Sequence, residues 1–272
     1  MNSLEPIQVR RYGFQGTNVV VLHGGPGAPG SIAGLARLLA PHFNVLEPLQ
    51  RRSGFAPLTV AQHVDDLAVV APERSAIVGW SWGAMLGLSF AARHPERVSR
   101  LVLVGCGTYD ENSRAQFKQA LENLLNQAGN ESIRDLIRQK QSEQDEKARD
   151  ATLGKLGAAY ARLESYELLE DSLGQADKLP VDAVGNRETW DDVLRLQRQG
   201  IEPQAFATIR VPVLMLHGDV DPHPGSATRD LLQQFVPQLE YVEFEKCGHE
   251  PWREAHARDR FLKKLQTWLK QV

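Results

Sequence analysis

Short apolar runs alternate along this chain with amphipathic, helix-like stretches, and this alternation restricts the possible folds more than any other feature. The runs are rich in β-branched residues and include positions 18–22 (NVVVL), 75–79 (SAIVG) and 101–104 (LVLV). Strands that are apolar along their whole length are buried on both faces, which is typical of a parallel sheet covered by helices. The sequence therefore predicts an α/β fold with a mainly parallel central sheet flanked by helices.

The alternation is interrupted between Gly107 and the apolar run at positions 211–216 (VPVLML). The intervening residues 108–205 are polar and amphipathic, and they contain 19 acidic and 13 basic side chains, a net charge of −6. Such a segment predicts helices rather than strands. We therefore expect a core formed by residues 1–107 and 208–272, with a helical cap, residues 108–207, inserted between two strands of one sheet.

The motif Gly79-x-Ser81-x-Gly83 ends the apolar run at 75–79 and leads into a helical pattern. A serine in a glycine-rich turn is the simpler explanation, because so short a pattern also arises by chance. At a junction between a strand and a helix, however, the motif is typical of a nucleophile held in strained geometry with its hydroxyl exposed. Open parallel sheets bind ligands at the carboxyl ends of their strands, where Ser81 falls. We therefore predict that Ser81 is a catalytic nucleophile.

A serine hydroxyl needs a general base, and the chain offers eight histidines. His249 follows the last predicted strand, so we expect it at the same edge of the sheet as Ser81. His223 lies in the preceding loop and is the weaker alternative, whereas His217 is expected to have a structural role in a turn. Four others fall on predicted helices or at their ends and are expected at the surface: His42, His63, His94 and His256.

The base needs a carboxylate that fixes its tautomer and stabilises the imidazolium ion. Asp219 and Asp221 both follow the strand that includes residues 211–216, and spacing alone does not separate them. Asp110 is a third, less favoured candidate. The order Ser81, Asp221, His249 along the chain fits the order expected for a nucleophile at a strand–helix junction.

The oxyanion that forms during acyl transfer needs at least two hydrogen-bond donors. One is expected to be the backbone N–H of Trp82, the residue after the nucleophile. The other is expected from the early loop at positions 23–27 (HGGPG), where glycine lets the backbone approach a substrate closely. We predict that Gly25 is this second donor, and a plain tight turn is the alternative.

Charge and composition exclude several other classes of protein. The net charge is −3, which does not indicate a nucleic-acid partner or an anionic membrane surface. No apolar run approaches the length of a membrane span, and the first residues have no apolar segment typical of a secretory signal, so a cytoplasmic location is expected. The two cysteines lie in different segments, and no Cys/His spacing indicates a metal site. We expect neither a metal nor another cofactor, and the sequence does not determine the oligomeric state.

Four segments together resemble those of alpha/beta hydrolases, and in particular the proline iminopeptidase branch: HGGPG, GWSWGAML, HGDVD and GHEPW. The resemblance covers both core segments but not the cap. It implies an alpha/beta-hydrolase fold with Ser81, Asp221 and His249 as catalytic residues and Gly25 and Trp82 as oxyanion donors. It also favours Asp221 over Asp219. Leu49 is a departure, because the peptidases usually carry an acidic residue at this place.

The resemblance implies a serine hydrolase that acts through an acyl-enzyme on a small-molecule or short-peptide substrate. A proline iminopeptidase-like aminopeptidase is the leading hypothesis, and a carboxylesterase or lactonase is the alternative. A carbon–carbon bond hydrolase or a non-catalytic, receptor-like member is less favoured. An aminopeptidase would hold the substrate's amino group with cap carboxylates, and the densest acidic cluster is Glu164, Glu167, Glu170 and Asp171.

Overall fold

The computed structural model describes residues 6–54, 56–169 and 179–271. Its centre is a seven-stranded sheet with the strand order β1-β3-β2-β4-β5-β6-β7. All neighbouring strands pair in parallel except β1, which runs antiparallel to β3. The strands are β1 (Val9–Tyr12), β2 (Asn18–Leu22), β3 (Asn44–Pro48), β4 (Ser75–Trp80), β5 (Val98–Val104), β6 (Val213–Gly218) and β7 (Leu239–Phe244). The predicted α/β fold with a mainly parallel sheet is confirmed.

Helices cover both faces of this sheet. They are α1 (Ala33–Leu39), α2 (Val60–Val70), α3 (Trp82–Arg93), α4 (Glu111–Leu125), α5 (Glu131–Ser142), α6 (Glu146–Leu163), α7 (Ala183–Arg198), α8 (Gly225–Gln233) and α9 (Arg258–Lys270). Short 3₁₀ turns occupy Pro95–Arg97, Gln204–Thr208 and Pro251–Arg253. Within the described ranges, no helix has the length and apolar character that crossing a membrane requires.

Alternate side chains of each strand enter two separate hydrophobic cores. Val20 and Leu22 of β2 pack on the face covered by α2, α3 and α8. Val19 and Val21 pack on the opposite face with α1 and α9. All four side chains are fully buried, and burying such a side chain stabilises the fold by about 1.5–3 kcal/mol. Burial on both faces explains why the strands are apolar along their whole length.

In the described part of the chain, helices α4 to α7 lie in sequence between β5 and β6, which are neighbours in the sheet. The described part of residues 108–205 forms these helices and the turn Gln204–Thr208, as the polar pattern predicts.

β1 has no counterpart among the predicted apolar runs. It is an edge strand of sequence VRRY with partly exposed side chains, so the pattern of a buried strand does not apply to it.

Candidate active site

Ser81 lies at the junction of β4 and α3, at the carboxyl edge of the sheet. Its backbone φ of 54° is in the left-handed region that few residues other than glycine adopt. Ser81 precedes the first residue of α3, but its side chain makes no capping hydrogen bond. A Cβ on Gly79 would lie 2.1 Å from the Gly83 carbonyl oxygen, and a Cβ on Gly83 would lie 2.1 Å from the Leu22 carbonyl oxygen. The turn therefore requires both glycines.

His249 and Asp221 meet at the same edge of the sheet. His249 Nδ1–H donates a 2.7 Å hydrogen bond to Asp221 Oδ2, and both residues are buried. The indole N–H of Trp80, the last residue of β4, donates a 3.0 Å hydrogen bond to the His249 carbonyl oxygen. This bond ties the loop that carries His249 to the strand that carries Ser81. No direct hydrogen bond joins the Ser81 hydroxyl to His249 within the described residues.

The structure separates the three candidate aspartates. Asp219 accepts a 3.0 Å hydrogen bond from the backbone N–H of Cys247 and so stabilises a turn. Asp110 accepts from the backbone N–H of Ser113 at 2.7 Å and caps α4. Of the three, only Asp221 contacts His249. The geometry therefore favours Asp221 as the partner of the base.

Two further histidines contact Asp221. His223 Nδ1–H and the His223 backbone N–H both donate 2.9 Å hydrogen bonds to Oδ1. His217 Nε2 lies 3.4 Å from Oδ2 and donates to the His223 carbonyl oxygen at 2.9 Å. Burial lowers the pKa of His217 below its ordinary value of 6.5, although the nearby charge of Asp221 opposes this shift. The structural role predicted for His217 fits this arrangement.

Asp221, His223 and His249 are the one group of described residues whose ligand atoms could converge on a metal ion. The two imidazole rings are stacked with their centroids 4.5 Å apart and an angle of 17° between their planes. The Nδ1–H groups of both rings are hydrogen-bonded to Asp221, one to each carboxylate oxygen. The three side chains thus form one hydrogen-bonded cluster.

The charges around His249 favour its protonated form. Burial opposes the charge, but the charge and hydrogen bond of Asp221, with the carboxylates Glu164 and Glu250, raise the pKa of His249 above its ordinary value of 6.5. Burial also opposes the charge of Asp221, yet the surrounding histidines hold its pKa well below 3.8. An ionised carboxylate that stabilises an imidazolium ion is what a general base of this kind requires.

The loop at residues 23–27 lies against the Ser81 turn. Gly25 has a φ of +52°, and a Cβ on Gly24 would lie 2.7 Å from the Trp80 ring. Within the described ranges, the backbone N–H groups of Gly25 and Trp82 donate no hydrogen bond to another part of the chain. Both groups are thus available as donors to a bound oxyanion, and that role stays a prediction.

Gln50 connects the loop at residues 23–27 to Trp82, the first residue of α3. No sequence motif predicts this role. It accepts a 2.8 Å hydrogen bond from the indole N–H of Trp82 and donates one of 3.4 Å to the His23 carbonyl oxygen.

His63 packs its ring against the Trp82 ring and is 2% exposed, so its predicted surface position is wrong. Burial lowers the pKa of His63 to about 4, and its Nε2 is hydrogen-bonded to Thr189.

A cavity of about 2080 Å³ separates the helices α5 to α7 from the sheet edge. Gly24, Gly25 and Trp80 line its floor, and Glu250 and Trp252 line one side. Ser81 and His249 lie beside this floor rather than in the cavity wall. Trp80, the residue before Ser81, is the point at which the cavity lining comes next to the nucleophile along the chain.

The described wall of the cavity carries seven cationic side chains and three acidic ones. Two of the acids already have partners: Asp150 lies 3.6 Å from Arg52, and Glu250 pairs with Arg253 at 2.8 Å. Five of the cations make no ion pair within the described residues: Lys140, Lys147, Lys155, Arg162 and Arg187. Among the described residues that line the cavity, cationic side chains thus outnumber acidic ones, although residues 108–205 are acidic overall.

The acidic cluster expected to hold an amine is only partly placed. Glu164 is half-buried near His249, and burial raises its pKa. Glu167 is exposed and accepts a 2.9 Å hydrogen bond from His256 outside the site. Glu170 and Asp171 lie outside the described residues.

Comparison with known proteins places the fold in a family. Residues 70–252 match the model of the alpha/beta hydrolase fold. The chain belongs to the alpha/beta hydrolase family. A thermophilic esterase from Thermogutta terrifontis has the same fold, with a TM-score of 0.62, 17% identity and coverage of 97% of this chain and 93% of the esterase.

Two curated relatives differ in their reactions. A pimeloyl-[acyl-carrier protein] methyl ester esterase of Aromatoleum aromaticum is 27% identical over 248 residues, which cover 86% of this chain and 92% of the esterase. A probable proline iminopeptidase of Streptomyces coelicolor is 32% identical over 165 residues, which cover 54% of this chain and 47% of the iminopeptidase. The similarity to the esterase thus extends over far more of both proteins.

Proposed function

We propose that this protein is a carboxylic ester hydrolase whose substrate carries negative charge away from the scissile ester. The cationic wall of the cavity is the observation that carries this proposal. It opposes a substrate ammonium group and attracts an anionic one. The leading sequence hypothesis of an aminopeptidase is therefore replaced by its esterase alternative.

The proposed mechanism begins with attack of the Ser81 hydroxyl oxygen on the ester carbonyl carbon. His249 accepts the hydroxyl proton, and Asp221 stabilises the imidazolium ion that results. The backbone N–H groups of Gly25 and Trp82 stabilise the oxyanion. Collapse of this intermediate breaks the bond to the alcohol oxygen, which takes the proton from His249. Water, activated by His249, then hydrolyses the acyl-Ser81 ester and returns the enzyme to its starting form.

The residues that line the cavity indicate where on the substrate the negative charge lies. Trp80, which precedes Ser81, lines the cavity, and so do the cations of α5, α6 and α7 that make no ion pair within the described residues. An ester at the floor would leave the remainder of a long substrate among these cations. The curated esterases act on a methyl ester whose acyl chain is linked to a carrier protein. We propose that the substrate here is likewise an ester whose distant end is anionic or joined to an anionic carrier, with residues 108–207 acting as a cap.

An aminopeptidase is the second candidate, and one observation favours it. The charges of Glu164 and Glu250 act on His249, so two carboxylates lie close to the reacting groups. A carboxylate there could hold a substrate ammonium group. However, Glu250 is already paired with Arg253, and burial opposes the negative charge of Glu164 and raises its pKa.

A substrate panel distinguishes the two reactions. The ester arm contains the monomethyl ester of a medium-chain dicarboxylic acid, its dimethyl ester, and a carrier-linked methyl ester. The amide arm contains a prolyl-arylamide and its N-acetylated form. We expect hydrolysis of the esters, with kcat/KM higher for the monoanionic ester than for the neutral diester. A strong preference for the free prolyl-arylamide would reject the ester proposal in favour of the aminopeptidase.

A further inference from the structure

His223 is held between an aromatic ring of the cap region and the imidazole of His249. One face of its ring stacks on His249 at 4.5 Å, and the other stacks on Phe117 of α4 at 4.1 Å with an angle of 21° between the planes. Its Nδ1–H donates to Asp221 Oδ1 at 2.9 Å, while His249 donates to Oδ2 at 2.7 Å. Three nearly parallel rings thus stand beside one buried carboxylate.

This arrangement fixes two geometric quantities that catalysis needs. Donors on both oxygens of Asp221 prevent the carboxylate from rotating about its Cβ–Cγ bond. Stacking against His223 fixes the plane of the His249 ring, and that plane sets the direction in which Nε2 meets the Ser81 hydroxyl. An error of a few tenths of an ångström in such a contact lowers the rate of proton transfer.

We propose that His223 is a positioning residue that holds Asp221 and His249 in their reactive geometry and joins them, through Phe117, to helix α4. The proposal depends on the hydrolytic role given above to Ser81, Asp221 and His249. His223 itself does not touch the substrate's reacting atoms in this account. Its ring acts through the hydrogen bond to Asp221 and through the stack on His249.

The surroundings of His223 allow the hydrogen bond and the stack to be tested separately. Asp221, His217, His249 and Glu164 are the titratable groups that act on or contact it. Asparagine at this position keeps an N–H donor close to the place of Nδ1 but removes the ring. Phenylalanine keeps the ring but removes the donor, and alanine removes both. The backbone N–H that also binds Asp221 Oδ1 is retained in all three variants.

The test measures kcat, KM and the pH profile of p-nitrophenyl acetate hydrolysis for His223→Ala, His223→Asn and His223→Phe. We expect His223→Ala to lower kcat by about tenfold to 100-fold and to leave KM nearly unchanged. This loss corresponds to the free energy of one hydrogen bond to a charged group. His223→Asn should recover much of this loss, and His223→Phe less of it. Phe117→Ala should lower kcat by less than His223→Ala, because it removes only the outer ring.

Controls separate this proposal from a folding defect and from the proposed function. Thermal unfolding of each variant establishes that the measured kcat belongs to folded protein. His42→Ala removes an exposed histidine remote from the site and should behave as wild type. Wild-type kcat in folded His223→Ala, or equal losses in all three variants, would overturn the positioning role. Undiminished activity in Ser81→Ala would instead overturn the proposed function.

Discussion

Gly105 lies directly against the imidazole ring of His249. A Cβ on Gly105 would come within 2.9 Å of both Nδ1 and Cε1 of His249 and within 3.3 Å of Asp221 Oδ2. Gly105 follows β5 immediately and has a φ of +53°. A side chain at this position would therefore meet the hydrogen bond between His249 and Asp221 from the side and would also strain the backbone.

Gly105→Ala should reduce kcat of ester hydrolysis by pushing His249 away from Asp221, and it should also destabilise the fold because alanine is strained at positive φ. Kinetics and thermal unfolding measure the two effects. Gly54→Ala is the matched control, because its added Cβ meets nothing within 4 Å and Gly54 does not line the cavity. This control should keep the activity and the stability of the wild type. Normal kinetics in folded Gly105→Ala would show that the close approach to His249 is unimportant.

Asp221→Asn and Asp219→Asn should separate catalysis from turn stability. Asp221→Asn should lower kcat by about 10⁴-fold, because an amide at this position favours the wrong tautomer of the base. Asp219→Asn should act mainly on stability, since Asp219 accepts a hydrogen bond from the backbone of Cys247. Steady-state kinetics and denaturant unfolding of both variants provide the comparison. Reversed magnitudes would assign the acid to Asp219.

The acid limb of the pH–rate profile should lie above pH 6.5, because Asp221, Glu164 and Glu250 raise the pKa of His249 despite its burial. Protonated His249 cannot act as a base, so kcat/KM falls as the pH drops through that pKa. Glu164→Gln and Glu250→Gln each remove a negative charge that favours the imidazolium ion. Both should therefore shift the acid limb to lower pH.

Glu167→Gln is the control for this titration, because Glu167 is exposed and bonded to His256. It should leave the acid limb where it is in the wild type. If Glu164→Gln and Glu250→Gln both leave the acid limb at its wild-type pH, the limb does not report the pKa of His249 as raised by these two carboxylates.

The cationic wall predicts a charge-dependent KM. Arg162→Gln and Arg187→Gln should raise KM for the monoanionic methyl ester and leave KM for the neutral diester unchanged, since each removes a cation from the cavity wall. Added salt should weaken binding of the anionic ester in the wild type, because exposed charges are screened. Lys118→Gln serves as the control: Lys118 lies on α4, pairs with Glu122 and does not line the cavity. Equal effects on both esters would rule out charge recognition by this wall.

The sequence predicts the central sheet because its strands are buried on both faces and therefore stand out as apolar runs. β1 escapes this criterion, since a half-exposed edge strand of sequence VRRY resembles a loop in composition. The Ser81 turn is equally visible, because the packing of Gly79 against Gly83 and of Gly83 against Leu22 leaves room for no other residue. Steric requirements of a single turn are therefore visible as a short motif in the sequence.

Features that depend on several elements leave no such pattern. The net charge of −6 over residues 108–205 suggests an acidic cap, but the packing of α5, α6 and α7 decides which residues line the cavity, and the charged ones among the described residues are mostly cationic. The link from Phe117 through His223 to His249 joins α4 to two separate loops. His63 lies buried against Trp82 for the same reason, since α2 must pack on α3 before the ring is covered.

Covalent labelling of Ser81 tests the central claim most directly. The protein is treated with an alkyl fluorophosphonate, and the modified peptide is identified by mass spectrometry while ester hydrolysis is followed in parallel. We predict one adduct on Ser81, formed as activity disappears, and neither adduct nor significant turnover in Ser81→Ala, whose kcat should fall by about 10⁶-fold. An adduct on another residue that forms as activity disappears, or full hydrolysis by folded Ser81→Ala, would contradict the account.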